Sequence, residues 1–191
     1  MACNLGATQV ATVFNDPLSY GDLYQWGRGR DGHEKRDSTI TTELSSGDTP
    51  GHDEFIATGE DAYPMDWREE LNDDLWQGVD GINNPCPTGF RLPTEAEWQA
   101  ELDQYGTDQL ALFNSPLKLP ATGYRRGDYG EFRGVDSIAQ YWSSSHTIDS
   151  AAPFNNVYPR YLLLGNAGTS EDLFIDKAFR ANGQAVRCIQ D

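Results

Sequence analysis

The sequence predicts a single mixed α+β domain. Three observations carry this: a capped helix opening after Thr94, several short aromatic strands beyond it, and a long polar stretch without periodicity before it. A chain of 191 residues is of one-domain length and can bury a core without staples. Only 38 % of it is apolar but 12 % is aromatic, with five Trp and nine Tyr, so a core built from a few large rings is expected.

In chain order, Asn4 to Val13 is short and mildly apolar, and Asn15-Asp16-Pro17 is a turn signal. Ser19 to Trp26 reads as a helix, with Ser19 as N-cap, Asp22 in the first turn, and Leu23 and Trp26 on one face. Gly27-Arg28-Gly29-Arg30-Asp31-Gly32 ends it. A phosphate-binding loop needs a strand before and a helix after, which this run lacks. It reads as an ordinary loop whose basic residues answer an acidic surface. Residues 33–80 are polar and read as an insertion packed onto the body, with Trp67 and Trp76 as anchors. Asp73, Asp74 and Asp80 offer oxygens to a calcium ion, but the regular Asp-x-Asp-x-Asp-Gly loop is absent, so no cofactor or metal is expected.

Asn84 to Gly89 is turn chemistry around Cys86, and Phe90-Arg91-Leu92 is a short extended run. Pro93 biases Leu92 away from helical geometry. Thr94 and Glu97 then form a capping box. A helix of about three turns is expected from Glu95, because the next glycine is Gly106. Trp98 and Leu102 share its buried face, while Gln99, Glu101 and Asp103 point to water. Leu117 to Tyr124 is strand-like, and Arg126-Gly127-Asp128-Tyr129-Gly130 reads as a hairpin loop. Further strands are expected at Ile138 to Ser145, Tyr158 to Leu164 and Gln184 to Ile189, with loops at Ser145 to Val157 and Gly165 to Asn182.

Charge and cysteine usage exclude several classes. Fourteen Lys and Arg against thirty Asp and Glu leave a net charge of −16, which argues against nucleic acid and anionic membrane surfaces as partners. No apolar run approaches the roughly 18 residues of a membrane span. Met1 to Leu5 has neither a basic start nor an apolar core, so it is not a signal peptide. The three cysteines, Cys3, Cys86 and Cys188, form no Cys-x-x-Cys pair, so a zinc site is not expected. A Cys86–Cys188 bridge is open to the chain, and the sequence alone does not decide it.

Cys-Pro-x-Gly-Phe-Arg-Leu-Pro-Thr-x-x-Glu-Trp at Cys86 to Trp98 resembles the hallmark of C-type-lectin-like domains of the formylglycine-generating-enzyme and FISUMP (major paralogous domain) group. Asn4 to Ala7 and Tyr20 to Gly27 resemble the opening of FISUMP domains, Tyr141 to Ser144 their central strand, and Arg180 to Cys188 their end. The resemblance implies a C-type-lectin-like fold with two helices, a small antiparallel sheet and long irregular loops. It also implies a strand ahead of Asn4, so an upstream part is expected to be missing.

Fold restricts function less than site does. An oxidase of the formylglycine-generating type needs a reactive cysteine pair, whereas Cys86 and Cys188 fall at positions that look structural. A calcium-dependent lectin uses Glu-Pro-Asn or Gln-Pro-Asp with Trp-Asn-Asp, and these are absent. His146 lies near Ser143, Ser144, Ser145 and Asp149, but no strained nucleophile turn carries a serine. His33, His52 and His146 read as ordinary loop histidines.

The remaining reading is a non-enzymatic ligand-binding domain. The chain resembles the variable proteins of diversity-generating retroelements, which place mutated positions in a C-terminal segment like residues 141–183 here. Its ends are family-like and its interior is idiosyncratic. Aromatic and Arg side chains are the usual binding anchors, which points to Phe154, Tyr158, Arg160, Tyr161 and Phe174, with His146, Asn156, Leu163, Asn166, Asp172, Asp176 and Lys177 beside them. If Leu162 and Leu164 face the core, period-2 alternation turns Tyr161 and Leu163 outward. The expected partner is a protein or cell-surface ligand, met outside the cell or at its surface. A fixed adhesion or carbohydrate-binding module is the second reading, and an oxidase the third.

Overall fold

The computed structural model describes residues 1–60, 65–106, 109–149, 156–165 and 173–191. A 3-10 turn at Pro17–Ser19 precedes β1 (Tyr24–Gln25), β2 (Ile40–Thr41), β3 (Phe55–Ile56) and β4 (Phe90–Arg91). Then come α1 (Glu95–Tyr105), α2 (Gln109–Asn114), β5 (Tyr124–Arg125), β6 (Phe132–Arg133) and the long β7 (Ala139–Asp149). The chain closes with β8 (Asn156–Leu164), β9 (Phe174–Lys177), β10 (Gly183–Gln184) and β11 (Ile189–Gln190). Among the described residues the architecture is α+β: two helices among small sheets that are antiparallel except for the parallel β2–β3 pair.

The helix α1 forms where the capping box dictates. Thr94 accepts the Glu97 N–H, the Glu97 carboxylate returns to the Thr94 N–H, and Gly106 caps the far end. Trp98 and Leu102 are its buried residues. Arg91 then clamps Glu97 through two hydrogen bonds of 2.8 Å and reaches Asp191 at 2.7 Å, tying the helix start to the chain end. Beside it β4 pairs with β11, and Cys86 is joined to Cys188 in a disulfide.

The sheet order β1-β10-β5-β6 brings distant segments together. Tyr24 pairs with Gln184 and Gly183 with Arg125. The three-stranded sheet β7-β8-β9 is the centre of the molecule, since a hydrophobic cluster lies on each of its faces. Trp142 and Tyr161 join Tyr24, Trp26, Trp67, Trp76 and Val186 on one side. Tyr141, Leu162 and Leu164 join Trp98, Leu102 and Leu112 on the other.

Several expectations are corrected. Ser19 to Trp26 is not a helix: Gly21 takes a left-handed φ of 70° against the carbonyl of Leu5, and Tyr24–Gln25 is recruited as a strand by the chain end. Leu117 to Tyr124 is mostly outside any ladder, because Pro116 and Pro120 have no N–H to offer. The final expected strand is split, with Gly183–Gln184 on β1 and β5, Ala185 bridging Tyr141, Val186 accepting from Leu5, and Ile189–Gln190 on β4. The two expected loops are partly strand, as β7 runs on to Asp149 and β9 lies within Gly165 to Asn182. Arg28 and His33 are buried, not surface residues. Within the polar stretch, Trp67 and Trp76 are fully buried and complete the core around Trp26.

Candidate binding face

β7 changes character along its length. Residues 139–144 are all buried; from Ser145 to Asp149 the side chains alternate between half-buried and exposed. The change coincides with a register shift between Trp142 and His146, a bulge opposite Arg160. The serines of the bulge stitch it in place. Ser143 Oγ donates to the Arg160 carbonyl at 2.8 Å and accepts the Ser145 N–H, while Ser145 Oγ accepts the Glu95 N–H at 2.9 Å. These hydroxyls therefore serve the backbone, and nothing in their bonding prepares a nucleophile.

Beyond the bulge, His146 pairs with Pro159, Thr147 with Tyr158, Ile148 with Val157 and Asp149 with Asn156. His146 is exposed and stands edge-on to Trp26 at 6.3 Å. Lys177 forms an ion pair with Asp149 and lies over the Tyr158 ring at 5.3 Å, and Tyr158 in turn packs on Phe179. Arg160 donates to Glu95 of α1 at 2.9 Å and to the Ile175 carbonyl. Asp176 Oδ1 accepts the Lys177 N–H.

The twelve sequence candidates divide accordingly. His146, Asn156, Tyr158, Arg160, Tyr161, Leu163, Phe174, Asp176 and Lys177 lie on the one sheet β7-β8-β9. Phe154, Asn166 and Asp172 lie outside the described residues. Tyr161 is only 6 % exposed, which corrects the expectation that it looks outward, and Tyr158, another of the expected binding anchors, is covered to the same degree. Leu163 is half-buried against the Trp142 cluster. Alternation failed here because β8 is covered on both faces, by the ring cluster from the first half of the chain as well as by α1. Burial and the neighbouring Asp176 also push the Tyr161 hydroxyl up from its ordinary pKa. Phe174 is 40 % exposed, as expected of a face residue. Ile148, 67 % exposed, was missed; the alternation His146-Thr147-Ile148-Asp149 was the signal that β7 continued.

One group has the residue types of a metal site: Asp31, His33 and Glu34. Its hydrogen bonds give it another role. His33 Nε2 accepts the Gln25 N–H at 3.0 Å, so the proton is on Nδ1, which faces Asp31 at 2.6 Å. Both ring nitrogens are committed, and burial lowers the pKa to about 4. Asp31 also holds Arg28, whose guanidinium reaches Gln25 and the carbonyls of His52 and Glu54. This network braces the polar stretch against β1. Asp73, a considered calcium ligand, instead pairs with Arg180.

Comparisons with protein-family models, with curated proteins and with solved structures gave no match.

Proposed function

We propose that the chain is a non-enzymatic ligand-binding protein with a C-type-lectin-like scaffold, displaying a sequence-variable face of the kind diversified by retroelements. The observation that carries this reading is the burial switch along β7. One continuous strand is locked between two clusters up to Ser144 and then presents His146 and Ile148 to solvent. A rooted strand with an open tip can change its exposed tip residues while its root stays packed between the two clusters. Phe174, Lys177 and Asp176 of β9 extend the face. The scaffold half of the reading is supported by the structural work of the Cys86 to Trp98 motif, which supplies a disulfide, a strand, a helix cap and a core ring. A binding role and not an oxidase role is supported by the disulfide itself, which leaves Cys86 and Cys188 without thiols.

The test is sequencing of the gene locus in many sibling copies. Codons 146–149 and 174–177 are expected to differ between copies while those for Cys86, Trp98, Trp142 and Cys188 do not, with a reverse transcriptase and a near-copy of the 3′ coding region alongside. Invariant codons and no near-copy overturn the variable reading.

A fixed carbohydrate-binding module is favoured by one feature. Tyr124, Phe179, Arg126, Asp128 and Asn182 line an open hollow of about 320 Å³, combining rings with planar polar groups. Saturable binding of an oligosaccharide that Tyr124→Ala abolishes would move the assignment there.

A further inference from the structure

We propose that the outer edge of β9 is closed to a fourth strand, and that Arg160 and Asp176 are the residues that close it. β9 ends the sheet β7-β8-β9, so one side of its backbone has no neighbouring strand among the described residues. An open edge of this kind is a template for another chain. The newcomer in question is the β9 of a second copy, running antiparallel about a two-fold axis. Phe174, 40 % exposed on the same strand, would add apolar contact to such a pair.

The ladder fixes which backbone groups face outward. The Ala178 N–H donates to the Pro159 carbonyl at 3.0 Å, one step beyond the pair Arg160 and Lys177. In antiparallel pairing, bonded and non-bonded positions alternate. Phe174 and Asp176 therefore bond to β8, while Ile175 and Lys177 turn their N–H and C=O groups away from it. An added strand needs both groups at each of these two positions. One of the two is already taken in each. The Ile175 carbonyl accepts from Arg160 Nη2 at 3.3 Å, and the Lys177 N–H donates to Asp176 Oδ1 at 2.8 Å. Both bonds have an ionised partner, so a newcomer would have to displace a charge-assisted bond at each position. The guanidinium is held for this task. Glu95 Oε1, at the start of α1, accepts from Nε and Nη2 of Arg160 at 3.1 and 2.9 Å.

Arg160 and Asp176 thus serve the backbone of the sheet, although residue type marks them as ligand-binding. Position 160 needs a donor and position 176 an acceptor, so variation at 176 is confined to side chains that accept. Phe174 carries no such duty. A partner of the face then meets side chains and not the sheet edge; that consequence rests on the binding-face reading, whereas the closed edge does not.

The experiment follows amide hydrogen exchange by NMR in the whole chain, from dilute to millimolar concentration. The parent is compared with the double variant Arg160→Met, Asp176→Val. The two substitutions remove one charge of each sign, so the net charge of −16 is kept and repulsion between copies is unchanged. In the parent, the Ile175 amide is expected to exchange freely at every concentration. In the double variant it should slow about tenfold or more as concentration rises and a dimer forms, the protection given by a new ladder bond. Asp176→Asn keeps an acceptor and should behave as the parent. A second measurement does not depend on the double variant. In the parent, the Lys177 amide should exchange about tenfold more slowly than that of Ile175, each relative to its free rate, and Asp176→Val alone should remove the difference. A parent whose Ile175 amide slows with concentration, a folded double variant whose Ile175 amide does not, or equal protection of Ile175 and Lys177 in the parent would each overturn the proposal.

Discussion

Trp98 of α1 donates its indole N–H to the carbonyl of Trp142 in β7, at 3.2 Å. Trp142 does the same to Tyr24 at 2.7 Å, Trp26 to Ser143, Trp67 to Trp26, and Trp76 to Asn83. Each tryptophan is thus a large apolar body and a donor to a backbone carbonyl. Trp98→Ala is expected to cost about 3–5 kcal/mol. Trp98→Phe keeps most of the volume but strands the Trp142 carbonyl, for about 1–3 kcal/mol. Urea unfolding of the two variants checks both values, and a Trp98→Phe variant as stable as the parent would show that the hydrogen bond contributes nothing.

The disulfide closes a sequence separation of 102 residues. Chain-entropy arguments put its stabilisation at about 4–5 kcal/mol, so the double variant Cys86→Ala, Cys188→Ala should unfold at much lower denaturant. Iodoacetamide on the native, unreduced protein should label Cys3, which is free and half-buried. Rapid labelling of Cys86 or Cys188 below pH 8 would instead revive the oxidase reading.

His33 and Asp66 act on stability in opposite directions with pH. Burial lowers His33 from 6.5 to about 4, so its contribution is fully present above 6.5 and is lost as pH falls. Burial raises Asp66 from 3.8 to about 6, with Arg180 offsetting only part, so its contribution is lost as pH rises through 6. Each shift corresponds to about 3 kcal/mol, and the native protein should be nearly flat between pH 6.5 and 4. Asp66→Asn removes the opposing group, and its urea midpoint should fall steadily on acidification. A flat profile in that variant would sink the assignment.

The two parts of the β7-β9 sheet should respond differently to truncation. Ile148→Ala and Lys177→Ala are expected to change stability by about 0.5 kcal/mol or less. Tyr161→Ala, in the ring cluster against Trp142, should cost about 3–5 kcal/mol. Thermal melts of the three variants test this. A large loss from Ile148→Ala would mean that the tip of β7 belongs to the scaffold and is no display surface.

Local chemistry was legible in the chain itself. Thr94 and Glu97 define the start of α1, Gly106 its end, and the spacing of Trp98 and Leu102 its buried side, because caps and helical period act within one or two turns. The loop Arg126 to Gly130 likewise joins β5 to β6 as its turn residues dictate. Tertiary structure decided what local signals cannot reach. Tyr24–Gln25 became a strand because Gly183–Gln184 lies beside it; Arg28 went inside because the carbonyls of His52 and Glu54 take its guanidinium, and His33 because Gln25 and Asp31 take both its ring nitrogens. Tyr161 became core and Leu163 half-buried against the cluster that Trp26, Trp67 and Trp76 build with Trp142; two of these rings come from the polar stretch 33–80, which packs on the body. Period-2 alternation tells the two faces of a strand apart; whether the second face is covered depends on segments about a hundred residues away.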